Sequence, residues 1–162
     1  MEKHTGKGEI NIMKIALGSD HGGFDLKQAI YNHLKEQGHE VIDFGTDSHD
    51  SCDYPLIAQP VANAVVKGEV DRGILICGTG IGIGIAANKV PGIRAALCHD
   101  TFSAKASRNH NNANILTMGQ RVVGEGLALA IVDTWIASEF EGGRHERRVN
   151  EIADIEKNPF LS

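Results

Sequence analysis

An apolar run ends on a cysteine and opens into a ladder of glycines: Ile74-Leu75-Ile76-Cys77-Gly78-Thr79-Gly80-Ile81-Gly82-Ile83-Gly84. The pattern is that of a buried strand leaving a sheet and turning toward a helix. Such a turn aims several backbone N–H groups at one point, with the positive end of the helix dipole behind them. Glycine at alternate positions lets that backbone approach a ligand with no Cβ in the way. A thiol at the lip of the loop has reason to ionise. Cys77 therefore reads either as a base or nucleophile, or as a small buried hydrophobe. Cys52 and Cys98 lack that setting and read as apolar fillers.

The ladder's spacing, G-x-G-x-G-x-G after a third strand, does not match the dinucleotide fingerprint, and no Gly-Lys-Ser/Thr of a P-loop follows it. A local anion cradle is the better reading, against a glycine turn that only packs a helix on a sheet. Asp20-His21-Gly22-Gly23 offers a second polar turn, in which Asp20 is either a helix N-cap or part of a site. His110 lies in the all-polar run Arg108-Asn109-His110-Asn111-Asn112, where an imidazole can exchange protons near neutral pH. Arg144 and Arg148, four apart on an expected helix, present guanidinium forks suited to a phosphate or a carboxylate, or else belong to a solvated basic face with Arg147. No two of the eight histidines stand in H-x-H or i,i+4 spacing, so the expectation is no metal.

The elements that must position these residues alternate strictly. Strands are expected at Lys14–Ser19, His39–Phe44, Gly73–Cys77, Ile93–Cys98 and Asn114–Met118. Helical periodicity covers Phe24–Gln37, a stretch opened by Tyr54-Pro55, Ile83–Lys89, Thr101–Arg108, a long stretch striped by Leu127, Ile131 and Trp135, and a last helix over Arg144–Lys157. Pro60 should strain its helix unless it falls in the first turns. The alternation predicts an α/β fold: a doubly wound, Rossmann-like three-layer sandwich with a five-stranded parallel sheet and an extra C-terminal helix. Ligands in such sheets bind beyond the carboxyl ends of the strands, which selects Ser19–Gly23, Cys77–Gly84 and Cys98-His99-Asp100.

With 162 residues, residues 1–12 read as a flexible leader and 13–162 as one domain. A net charge of −5 argues against nucleic acid as a partner, and no apolar run is long enough to span a bilayer. Three cysteines without a C-x-x-C pair point to a reducing, cytoplasmic setting.

Taken together, Gly18-Ser19-Asp20-His21-Gly22-Gly23, Asp53-Tyr54-Pro55, Gly73 to Gly82, Ala86-Ala87-Asn88-Lys89, Ser107-Arg108-Asn109-His110-Asn111 and Glu141-Gly142-Gly143-Arg144-His145-Glu146-Arg147-Arg148 resemble the type B ribose-5-phosphate isomerase family, shared with the galactose-6-phosphate isomerases. The resemblance runs from about Met13 to Glu156. It implies a Rossmann-like domain that forms a homodimer or a tetramer, with sites built from both subunits and no cofactor. Cys77 matches the family's base, which moves a proton between C1 and C2 of the opened sugar, and Thr79 the residue that supports it. His110 matches the acid that opens the furanose ring, assisted by Asp20. Arg144 and Arg148 match phosphate ligands, with His21 and Arg121 near them. Asn111 and the loop of Gly78, Gly80, Ile81 and Gly82 match the remaining sugar contacts.

The activity so implied is interconversion of D-ribose 5-phosphate and D-ribulose 5-phosphate through an enediolate. In galactose-6-phosphate isomerases the base half and the arginine half are split between two different chains; both halves are present here, which favours a pentose phosphate. The alternatives are a hexose-6-phosphate isomerase, acting on allose or galactose 6-phosphate, and a non-catalytic module binding a phosphosugar or nucleotide. The leader has no counterpart in the family pattern, and His99 has no assigned role.

Overall fold

The computed structural model describes residues 11–160, and nearly all of the expected leader lies outside them. The chain begins its sheet with β1 (Lys14–Ser19), passes through one 3-10 turn at His21–Gly23, and continues as α1 (Phe24–Glu36), β2 (Glu40–Asp43), α2 (Tyr54–Val66), β3 (Arg72–Cys77) and α3 (Ile81–Asn88). It then forms β4 (Ala95–Leu97), α4 (Thr101–Asn109), β5 (Ile115–Gly119), α5 (Glu125–Ala137) and α6 (Arg144–Lys157). The five strands lie in the order β2-β1-β3-β5-β4, all parallel. This is the three-layer α/β sandwich expected from the alternation of elements.

Both faces of the sheet are covered, as a parallel sheet requires. On one face Leu26, Ile30 and Leu34 of α1, Ala104 of α4 and Ala128, Ile131, Val132 and Trp135 of α5 pack on Ile15, Leu17, Ile74, Ile76, Leu116 and Met118. On the other, Ala58, Val61 and Ala62 of α2 with Ile83 and Ala87 of α3 pack on Ala16, Leu75 and Ile115. β3 alternates between the two cores, and so it reads in sequence as an unbroken apolar run. Pro60 is the seventh residue of α2, beyond the first turn, and the helix nevertheless runs on to Val66. β4 starts later than expected, and there the N–H groups of Arg94 and Ala95 donate to the side chains of Asn114 and Asn88.

Strand order turns the chain outward on either side of β1 and β3. That switch point opens a crevice beyond the carboxyl ends of those strands. Ser19 pairs with Ile76 there, and the N–H of Asp20 donates to the Ile76 carbonyl at 3.3 Å. Asp20 and Cys77 are thus brought to the same end of the sheet by register alone.

Candidate active site

Cys77 ends β3 and is 5 % exposed. Its Sγ accepts the backbone N–H of Gly80 at 3.1 Å. Gly80 has φ +77°, the left-handed conformation that folds the loop back on the thiol before α3 starts at Ile81. Thr79 accepts the Ile81 N–H at 3.2 Å through its hydroxyl, and the Thr117 hydroxyl donates to the Gly80 carbonyl at 3.0 Å. The Tyr54 ring lies against Gly82, where a Cβ would stand 2.7 Å from it. The ladder is therefore a shaped cradle folded over the sulfur, with the Gly80 amide aimed at it.

The Asp20 turn abuts this cradle: a Cβ on Gly22 would come within 3.2 Å of the Gly78 nitrogen. Asp20 is buried and its Oδ1 accepts the Gly22 N–H at 2.9 Å, so it does cap the short turn. It also lines, with His21, Cys52, Asp53 and Tyr54, a cleft of about 620 Å³. His21 accepts the Cys52 N–H through Nδ1 at 3.1 Å, which leaves Nε2 as the proton-bearing nitrogen. Arg121 lies over Gly78, its backbone N–H donating to the Gly78 carbonyl at 3.0 Å while Gln120 donates to that of Cys77 at 3.0 Å. His99, which sequence left without a role, accepts the Gly119 N–H at 3.0 Å through Nε2. It thereby holds the start of the turn that carries Arg121.

A second cluster gathers elsewhere. His110 caps α4 at its carboxyl end, and its ring stacks on His145 with centroids 4.4 Å apart and planes 14° apart. Arg144 and Arg148 project from the first turns of α6, both exposed. Desolvation, the His110 ring and the two guanidiniums together hold His145 below its usual imidazole value, with Glu141 opposing them. Arg108 ties the cluster together from beneath. Its guanidinium donates to the Ala113 carbonyl at 2.7 Å, to Asn112 Oδ1 at 2.9 Å and to the Ser138 carbonyl at 3.3 Å. It therefore joins the turn bearing His110 and Asn111 to the segment leading into α6. Burial lowers its pKa, and Arg94 adds to the effect.

The two clusters stand at opposite ends of the sheet. Cys77 pairs with Gly119 at the finish of β5, whereas His110 and Asn111 precede its first residue, Ile115. The strand's five residues alone put about 13 Å between those levels. Within one chain the structure brings Cys77, Thr79, Asp20, His21, Arg121 and the loop of Gly78, Gly80, Ile81 and Gly82 together. It brings His110, Asn111, Arg144 and Arg148 together separately. His145, Arg108 and His99 are the supporting residues that spacing along the chain did not reveal, because each has a decisive contact in a distant segment: His110, Ser138 and Gly119 respectively.

The chain is thus a doubly wound α/β sandwich with a thiol under a glycine amide at its switch point and a basic, histidine-bearing cluster at the other end of the sheet. The chain belongs to the ribose/galactose isomerase family, whose profile matches residues 15–152. It is 58% identical over 146 residues to ribose-5-phosphate isomerase B of Escherichia coli (strain K12), covering 90% of this chain and 98% of that one. Among solved structures it is similar to ribose-5-phosphate isomerase B of Clostridium thermocellum, with 61% identity, a TM-score of 0.90, and coverage of 91% of this chain and 100% of that one. It is also similar to the Mycoplasma genitalium ribose-5-phosphate isomerase B with bound ribulose-5-phosphate, at a TM-score of 0.87, with coverage of 93% and 99%.

Proposed function

We propose that this chain interconverts D-ribose 5-phosphate and D-ribulose 5-phosphate, as a homodimer whose two sites each combine the Cys77 cluster of one subunit with the His110 cluster of the other. The observation that carries the reading is the Cys77 thiol under the Gly80 amide at the β1/β3 switch point. The family favours an isomerase over a non-catalytic module, and the relatives named as ribose-5-phosphate isomerases favour this substrate over a hexose phosphate. A cytoplasmic setting accords with three free cysteines, and the reaction belongs with pentose phosphate interconversion.

In this mechanism His110, assisted by Asp20, gives and takes the protons that open the furanose ring. Cys77 thiolate then removes the proton on C2 of the aldose, and the electrons pass to the C1 carbonyl oxygen to make an enediolate. The amides of the Gly78–Gly82 segment hold the developing oxyanion. The hydroxyl proton on O2 passes to O1 and the Cys77 thiol returns its proton to C1, which leaves the carbonyl at C2 and completes the ketose. Thr79 supports the base, and His21, Asn111 and Arg121 contact the sugar phosphate. Arg144 and Arg148 clamp the phosphate.

Separation of the two clusters along β5 supports the shared site, since one subunit alone does not join base to phosphate clamp. Exposed apolar side chains supply a surface for the second copy. Ile81 and Ile85 on α3 are 53% and 58% exposed, and Phe102 at the start of α4 is 82% exposed.

Two impaired variants, assayed at substrate well below the raised KM of the second, test the site and its sharing together. Cys77→Ala should lose about 10²- to 10⁴-fold in kcat, measured by a coupled ketose assay, and Arg148→Ala should chiefly raise KM. Coexpressed, half the dimers are hybrids and each hybrid holds one intact site of its two, so about a quarter of wild-type activity returns. Near wild-type turnover by Cys77→Ala would remove it as the base. No recovery in the hybrid would place both clusters' work within one subunit.

A further inference from the structure

Among the described residues, His110, Glu141 and His145 form a cluster whose ligand atoms all lie within 4.8 Å of one another. We propose that this cluster is an inhibitory binding site for a borderline divalent cation, zinc above all, which holds His110 away from its catalytic work. The inference rests on the proposed role of His110 for its effect on turnover, but not for the binding itself.

Two imidazoles and one carboxylate make up a donor set of the kind that holds zinc in open, three-ligand sites. His110 comes from one segment and Glu141 and His145, four residues apart, from another, and the two segments are held in register by backbone. The Glu141 N–H donates to the carbonyl of Asn109, adjacent to His110, at 3.0 Å. The His145 N–H donates to the Gly142 carbonyl at 3.1 Å, so the turn between Glu141 and His145 is closed. The two rings stack nearly parallel with centroids 4.4 Å apart, so one imidazole must swing to aim its nitrogen at an ion shared with the other. The Glu141 carboxylate already reaches to 3.7 Å from His145 Nε2.

Tetrahedral ligands at about 2.0–2.1 Å from zinc stand roughly 3.3 Å apart, so the cluster must contract by at most about 1.5 Å. Glu141, 54% exposed, and the exposed His110 ring can do so by changing rotamer. The remaining coordination position is left to water or to substrate. Arg144 and Arg148 repel a cation here, which keeps the site weak and ensures that it is empty unless the metal forms strong bonds to nitrogen. Magnesium, which prefers an all-oxygen octahedral shell, is excluded on the same ground. With its ring nitrogen bound to metal, His110 has no lone pair with which to move a proton in ring opening.

The experiment titrates the intact protein with buffered free zinc, magnesium and cobalt. Zinc should suppress turnover and chelator should restore it, while magnesium at the same concentration does nothing. Glu141→Gln removes the one anionic ligand without touching the residues assigned to the reaction. It should keep its metal-free activity and become at least about tenfold less sensitive to zinc. Cobalt should give the visible bands of a nitrogen and oxygen site in the wild type, lost in Glu141→Gln, without the charge-transfer band that a cysteine ligand adds. Equal zinc sensitivity in the two proteins, or a thiolate band with cobalt, would overturn the proposal in favour of metal on a cysteine. The cobalt spectrum reads binding without turnover, so a protein that bound cobalt here yet isomerised no pentose phosphate would refute the functional reading and leave the metal site standing.

Discussion

Replacing Gly80 by alanine perturbs the cradle at the point where fold and chemistry meet. The residue sits at φ +77°, where a side chain costs about 1–2 kcal/mol. A Cβ there would stand 2.6 Å from the Met118 carbonyl carbon, 2.8 Å from its Cα and 2.7 Å from the Leu97 Cδ1. Leu97 can turn aside, but Met118 is backbone of β5, which pairs with both β3 and β4. The loop must therefore move instead, and such overpacking adds about 1–3 kcal/mol. The expected loss of stability is about 2–5 kcal/mol by urea denaturation. Movement also withdraws the N–H from Cys77 Sγ. A hydrogen bond to a charged group contributes about 1.5–3 kcal/mol, so kcat/KM should fall roughly 10- to 100-fold. The assay is coupled ketose formation at a temperature where circular dichroism shows the variant folded. A variant that loses stability yet keeps kcat/KM within a factor of about two would refute the idea that this amide serves the reacting thiolate.

Arg108→Met should cost about 2–4 kcal/mol, because the carbonyls of Ala113 and Ser138 lose a buried donor while the desolvated charge is also removed. As the turn bearing His110 loosens, kcat should drop at least about tenfold in protein still folded; an unchanged kcat would restrict Arg108 to a role in stability. His39 is buried, accepts the Met13 N–H at 3.0 Å, and is held below its ordinary 6.5 by desolvation, with Asp133 opposing. Its neutral form is favoured by the fold, so its contribution is complete above pH 6.5 and is lost as pH falls toward the lower folded value. His39→Asn keeps an acceptor that does not titrate, and its melting temperature should decline less between pH 7 and 5 than that of the wild type; parallel declines would contradict the linkage.

Local signals in the chain located the elements well where they were uninterrupted. β1 and α6 have the bounds that periodicity predicts, Lys14–Ser19 and Arg144–Lys157. Elsewhere a tertiary contact decided the boundary. α3 begins at Ile81, earlier than the apolar stripe suggests, because Gly80 makes the whole turn alone. β4 starts late, where asparagine side chains take the N–H groups of Arg94 and Ala95. The candidate site was legible to the extent that chemistry is written in adjacent residues, as at Cys77–Gly84 and Asp20–Gly23. Residues whose partners lie far away were not: His99 needs Gly119, Arg108 needs Ser138, and Glu141 needs His110 before any of them has a task.

Trp135, the only tryptophan of the chain, is wholly buried, with the guanidinium carbons of Arg72 and Arg108 at 5.4 Å and 6.0 Å from its ring. Burial and its like-charged neighbour bring Arg72 down to about 10, and it donates to the last carbonyls of α5 at 3.1 Å and 3.3 Å, where the helix dipole favours a cation. One indole is therefore polarised by both the cation that caps α5 and the cation that anchors the His110 turn. Its fluorescence is an optical gauge, present in the unlabelled protein, of whether that seam is closed. Any ligand that shifts α6 or the turn beside it alters the field at a single chromophore, and the change can be followed in stopped flow without a dye, a tag or a coupled enzyme.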